Sequence, residues 1–146
     1  MDIWNKIKSK VNEHGYMSGV DRMTNRIKET GEVFTPTDLV IEMIQKLLDN
    51  DPNCLGPGKT VLEPACGDGQ FLVAIKWLKI MHYNMLESDA LNDLYGIDIM
   101  EDNVALCRKR LGGGHIFHDD MLNPTNKELR AILGYTEPAS LEDFFA

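Results

Sequence analysis

The chain has no long apolar run. Its longest uninterrupted hydrophobic stretch is Phe71 to Ile75, far short of the roughly 20 residues a membrane-spanning helix needs. Cysteine is sparse: Cys54, Cys66 and Cys107 are odd in number and form no Cys-x-x-Cys pair, so they read as free thiols of a reducing cytosol. The N-terminus, Met1-Asp2-Ile3-Trp4-Asn5-Lys6, lacks an apolar core followed by a small-residue cleavage site, so no signal peptide is expected. Basic residues are outnumbered, 15 Lys and Arg against 23 Asp and Glu, for a formal charge of −8. That balance speaks against the chain gripping a duplex alone, because such affinity rests largely on Lys and Arg meeting phosphates. The deficit is uneven. Residues 1–30 hold Lys6, Lys8, Lys10, Arg22, Arg26 and Lys28 against four acids. This mildly basic arm could touch a nucleic acid, but a solvated helix face is the simpler reading. Nothing repeats and nothing is low-complexity.

What remains is one domain's worth of chain, 146 residues with an ordinary apolar fraction of 43%. It is organised around residues 60–74. Thr60 to Leu62 read as a short buried strand, and Glu63 to Gln70 as a turn holding Gly67 and Gly69. From Phe71 onward the apolar residues Phe71, Leu72, Ile75 and Leu78 recur at helical spacing. Strand, glycine turn and helix make the first half of a βαβ unit, which binds ligands outside the carboxyl end of its strand. The glycines would let backbone approach a ligand that a Cβ would exclude. Glu63 and Asp68 argue against a phosphate there, and the third glycine of a dinucleotide fingerprint is replaced by Leu72. An acidic turn suits a ligand carrying positive charge and hydroxyl donors.

Around this unit the pattern predicts further elements. Asp2 to Val11 forms an amphipathic helix with Ile3, Trp4, Ile7 and Val11 on one side. Asn12 to Thr30 is a loop with one helical turn near Val20 to Ile27. Thr35 is placed as a helix N-cap, with Pro36 at the first helical position and Asp38 three residues after the cap. That helix runs to about Leu48 with Leu39, Val40, Met43, Ile44, Leu47 and Leu48 as its stripe. His82 to Asp93 is a loop. Leu94 to Ile99 is the second strand, Asp102 to Leu111 a crossover helix with Val104, Ala105, Leu106, Cys107 and Leu111 inward or nearly so, and Gly112-Gly113-Gly114 its C-cap and link. His115 to His118 is the third strand. Thr125 and Glu128 make a capping box for a last helix to about Leu133. His115, His118, Asp119 and Asp120 lie close together, but strand positions 115 and 118 point to opposite faces, so no metal site is expected.

Glu63-Pro64-Ala65-Cys66-Gly67-Asp68-Gly69, with Phe71 behind it, resembles motif I of S-adenosylmethionine (AdoMet) methyltransferases, in the form seen in adenine-N6 DNA methyltransferases. Phe34-Thr35-Pro36 resembles motif X of the same enzymes and of type I modification subunits, which holds the methionine end of AdoMet. Asp98 with Ile99 resembles motif II, an acid at a strand end that accepts both ribose hydroxyls; the competing reading is a first-turn acid of the following helix. Asp119-Asp120-Met121-Leu122 resembles motif III, whose carboxylate accepts the adenine amino group, with Asp120 the better match and Asp119 the second. The resemblance covers about residues 31–122. It implies an α/β, Rossmann-like class I methyltransferase fold, truncated to a three-stranded parallel core in the order 3-2-1 flanked by helices. The division it implies is an N-terminal helical arm (1–30), an AdoMet-binding domain (31–134) and a C-terminal tail (135–146).

The family's catalytic string, Asn or Asp, then Pro-Pro, then Tyr or Phe, is absent from these 146 residues; Asn123-Pro124-Thr125-Asn126 is nearest and lacks the second proline and the aromatic. The resemblance therefore implies a cytoplasmic adenine-N6 DNA methyltransferase of restriction-modification type, or its cofactor-binding fragment or subunit. The alternatives are a non-catalytic AdoMet-binding regulatory or decoy module, and an interaction protein that kept the fold and lost the ligand. DNA is expected as a partner of the complete enzyme and only weakly of this acidic chain; no membrane partner is expected. The first strand should lie at a sheet edge, covered by the N-terminal region, by the Leu141 to Phe145 tail, or by another copy of the chain; a second protein chain or self-association through that open edge is expected.

Overall fold

The computed structural model describes residues 2–13 and 35–136. The turn expected near Val20 to Ile27, Phe34, and the tail from 137 onward lie outside the described residues.

Helix α1 (Ile3–Asn12) is capped by Asp2, whose side chain accepts from Asn5 N at 2.9 Å. Ile7 and Val11 are buried, as the spacing predicts. Helix α2 (Thr37–Asn50) starts one residue later than the sequence suggests, with Pro36 rather than Thr35 as its N-cap and no side-chain cap. The reason is local: Pro36 is extended (φ −60°, ψ 148°), and the Thr35 carbonyl is held by the Gln70 side chain at 3.0 Å. Its apolar stripe is also split. Val40 and Ile44 are fully buried, while Leu39, Met43 and Leu47 are 45–51% exposed.

Three parallel strands follow: β1 (Val61–Glu63), β2 (Leu94–Asp98) and β3 (His115–His118). Their order is β1-β2-β3, the expected order read from the other edge, with Val61 opposite Leu94 and Asp98 opposite His118. Because all three run the same way, their carboxyl ends share one rim. Helix α3 (Gln70–Met81) crosses from β1 towards β2, and α5 (Glu101–Leu111) from β2 to β3. The connection expected as loop contains a short helix, α4 (Glu87–Asn92), in which only Ala90 is buried. Six residues with one inward side chain carry no periodic signal.

Side chains leave β2 alternately towards two layers. Leu94 joins the core cluster built with α1, α2, α3 and α5, while Ile97 joins the cluster of Phe117 and Leu129 of α6 (Lys127–Ile132). Gly96 faces the first layer; a Cβ there would lie 2.8 Å from Leu72 Cδ1 and 3.1 Å from Cys66 Sγ. The strand thus touches the glycine turn where no larger residue fits.

Two buried lysines escaped the pattern. Lys76 Nζ donates to Leu111 O and Glu87 Oε1. Lys79, fully enclosed, donates to Gly56 O and Lys59 O and pairs with Asp93 at 3.0 Å. Each satisfies its charge while anchoring a loop. The inward face of α5 is Asn103, Val104, Cys107, Arg110 and Leu111. Ala105 is exposed, contrary to expectation, and Leu106 is half-buried. Gly112 ends α5 at φ +79°, the predicted glycine cap. The capping box at α6 does not form. The Thr125 amide and hydroxyl go to Asp119, and Asn126 caps instead, its Oδ1 accepting from Leu129 N at 2.9 Å.

At the β1 edge Leu62 is 38% exposed. Helix α1 packs on α3 and α2. No helix of the described residues is long and apolar enough to cross a membrane.

Candidate functional site

The turn after β1 is laced to the tip of β2. Cys66 N donates to Ile97 O (2.9 Å), Gly67 N to Asp98 Oδ2 (2.9 Å), and Gly69 N back to Cys66 O (3.0 Å). Gly67 (φ +56°) and Gly69 (φ +101°) both occupy conformations that disfavour a Cβ. Their surroundings differ. A Cβ on Gly69 would sit 3.0 Å from Cys107 Sγ, so this glycine permits close packing on α5. Gly67 lines an open hollow.

That hollow has a volume of about 100 Å³. Glu63, Ala65, Cys66 and Gly67 line it from the first half of the turn. Asp68, Gln70 and Phe71 do so from the second half, and Thr35 from the approach to α2. Small-molecule sites usually run from about 300 to 1,000 Å³, so it has room for one end of a ligand. Pro36 and Pro64 are exposed and do not line it. Asp98, Ile99, Asp119, Asp120 and Met121 lie on the same rim, at the tips of β2 and β3.

Asp98, 9% exposed, is the hinge between these parts. Besides Gly67 N, its carboxylate accepts from Met100 N (2.8 Å) and Asn103 Nδ2 (3.3 Å), and its carbonyl accepts from Asp119 N (3.1 Å). Glu63 is half-buried, and burial pushes its carboxyl up against the opposing bond from Ala65 N. Asp68 departs from expectation. It is 6% exposed and stands 3.1 Å from the Arg110 guanidinium. Its charge is neutralised within the protein rather than offered to a cationic ligand. The Cys66 thiol is pushed far up, first by its hydrogen bond with Cys107, then by burial and by the neighbouring Cys107, Asp98 and Glu63. It stays a neutral thiol and supplies no nucleophile.

Asp119 serves its own loop. It is 8% exposed and accepts from Asp120 N, from Thr125 N and Oγ1, and from Asn126 N at 2.7 Å. Its lone pairs are committed to these donors. Asp120 is half-buried, its Oδ1 taking Leu122 N at 3.0 Å. Met121 packs beside Ile97 and Phe117, and Ile99 is 64% exposed. The histidines are engaged apart. His115 stacks on Tyr95 with ring centres 4.4 Å apart, and His118 Nε2 lies 3.0 Å from Ile99 O. No group of three metal-ligating side chains occurs among the described residues.

Burial would raise the Asp119 pKa, but the backbone donors Asn126, Thr125 and Asp120 outweigh it and hold it below the usual carboxylate value. An acid with a depressed folded pKa adds stability above its unfolded value, about 3.9, and loses it as pH falls through the folded one. Asp119→Asn should therefore lower the melting temperature at pH 6, with a loss of roughly 1–3 kcal/mol. The gap to the parent should narrow as the pH is taken below 4, followed by circular dichroism. A gap constant with pH would remove this role.

A parallel α/β sheet with a glycine turn and acids at its carboxyl rim is the frame of a nucleotide-type ligand site. The family model for N-6 DNA methylase matches residues 20–124, and the chain belongs to that family of adenine-N6 DNA methyltransferases. No solved structure matches it.

Two residues of the site were missed by sequence reasoning, Gln70 and Arg110. The available signal was spacing, since Arg110 falls three residues after Cys107 on the inward face of its helix.

Proposed function

We propose that residues 31–134 are a Rossmann-like AdoMet-binding domain, preceded by a helical arm and followed by a tail. In this reading the domain is the cofactor-holding part of an adenine-N6 DNA methyltransferase of restriction-modification type. The observation that carries the proposal is the bond between Gly67 N and Asp98 Oδ2, which joins the glycine turn and the acidic strand tip into one rim on a chain of the N-6 DNA methylase family.

The donor set suits a nucleoside with a charged amino-acid tail. Gly67 leaves backbone open at the hollow, and Thr35 and Glu63 offer oxygens to an ammonium group. A carboxylate has about four lone-pair sites, and Asp98 has three of them committed, so it receives one ribose hydroxyl rather than both. Asp120, not Asp119, retains capacity for the adenine amino group. AdoMet supplies the methyl on a sulfonium. The chain's share of the reaction is to fix that donor in place, alignment being worth up to about 7–11 kcal/mol in such transfers.

Holding the acceptor falls to residues not in this sequence. An Asn/Asp-Pro-Pro-Tyr/Phe string in a second chain, or in a longer form of this one, would complete the site at the β1 edge, and DNA contacts would come with it. The absence of that string from the 146 residues also favours the second reading, a non-catalytic AdoMet-binding module acting through protein partners.

Titration calorimetry with AdoMet is expected to show one-to-one binding, and no heat at any accessible concentration would end the proposal. Labelled methyl incorporation into DNA should be nil with the chain alone. Incorporation on adding a partner that carries the string supports the subunit reading, and its failure favours the regulatory module.

A further inference from the structure

Arg110 and Gln70 form a buried polar junction beneath the glycine turn, 5% and 4% exposed. Arg110 Nη1 donates to Asp68 O at 3.0 Å. Its Nη2 donates to Val11 O, in the last turn of α1, at 2.8 Å, and to Gln70 Oε1 at 2.9 Å. The other end of the Gln70 amide donates to Thr35 O at 3.0 Å and to Thr37 Oγ1 at 3.2 Å. The Thr37 hydroxyl in turn donates to Asn12 Oδ1 at 2.8 Å. One guanidinium and one amide therefore tie together four pieces of chain: the end of α1, the approach to α2, the glycine turn and the start of α3. Thr35, Asp68 and Gln70 itself, from three of those pieces, line the hollow.

Packing alone does not call for this arrangement. A buried guanidinium is expensive to desolvate, and apolar side chains of similar volume commonly stabilise a core as well or better. What the guanidinium fork and the amide add is direction, since each fixes where its partners stand. We infer that Gln70 and Arg110 are positioning residues for the pocket. They set the spacing between Thr35 and residues 66–69, and they make that spacing depend on α1 being docked.

The inference rests on the AdoMet reading only for its ligand measurement. Gln70→Met replaces the amide with an apolar chain of similar length and leaves the Arg110 bonds to Val11 and Asp68 in place. In the free protein, amide hydrogen exchange at Gly67 and Gly69 should quicken about tenfold relative to β2 amides, the scale of one lost bond to a charged group. The AdoMet dissociation constant should rise by a similar factor. Arg110→Met should do the same and also speed exchange at Ile7 and Val11. If that variant does not fold, Gln70→Met alone decides. Parent-like exchange in the turn, or exchange raised equally in the turn and β2 as a plain loss of stability would give, overturns the inference. If the parent binds no AdoMet, the cofactor reading falls while the exchange measurement still decides this one.

Discussion

Asp98→Ala is expected to remove measurable AdoMet binding and to lower the melting temperature together. The carboxylate accepts Gly67 N, Met100 N and Asn103 Nδ2, and an alanine would leave these three donors without it. Bonds to a charged group contribute about 1.5–3 kcal/mol each, though neighbouring losses do not simply add. At roughly 2–4 °C per kcal/mol for a chain of this size, the transition should move by about 5–10 °C in scanning calorimetry. Binding should suffer more than stability, because the Gly67 amide loses its anchor as the ribose loses its acceptor. A folded Asp98→Ala protein with parent-like AdoMet affinity would place the ligand elsewhere.

Gly67→Val should abolish binding by a different route. Gly67 sits at φ +56°, where a Cβ costs roughly 1–2 kcal/mol, more for a β-branched residue. Gly67 also lines a hollow of only about 100 Å³, which leaves little room for an added side chain. Gly134 separates the two effects. It has φ +86° with open space around it and does not line the hollow, so Gly134→Val carries a similar backbone cost outside the pocket. The expected result is no AdoMet heat for Gly67→Val and parent-like heat for Gly134→Val. Equal affinities in both variants and the parent would show that the turn does not border the ligand.

The sheet, its order and most helices could be read from the chain, because burial of a strand or helix face leaves a periodic trace. Two kinds of feature left none. One is the end of an element. Thr35 and Thr125 have the chemistry of caps, but the Thr35 carbonyl is taken by Gln70 and the Thr125 hydroxyl by Asp119, partners fixed by the folded chain. The other is the pairing of buried charge. Asp68 looks available beside two glycines until Arg110, 42 residues on, is seen against it. The same holds for the site. Motif spelling placed Glu63, Gly67 and Asp98 on one rim, but not which oxygens are already engaged. That census distinguishes Asp119, absorbed by its loop, from Asp120 next to it.

A three-stranded sheet has a single interior strand, and here it is the five residues from Leu94 to Asp98. Every rung between strands runs through it, and its last residue also holds the turn. Among the described residues, severing that strand would leave β1 and β3 without a neighbouring strand, so the sheet and the rim share one support.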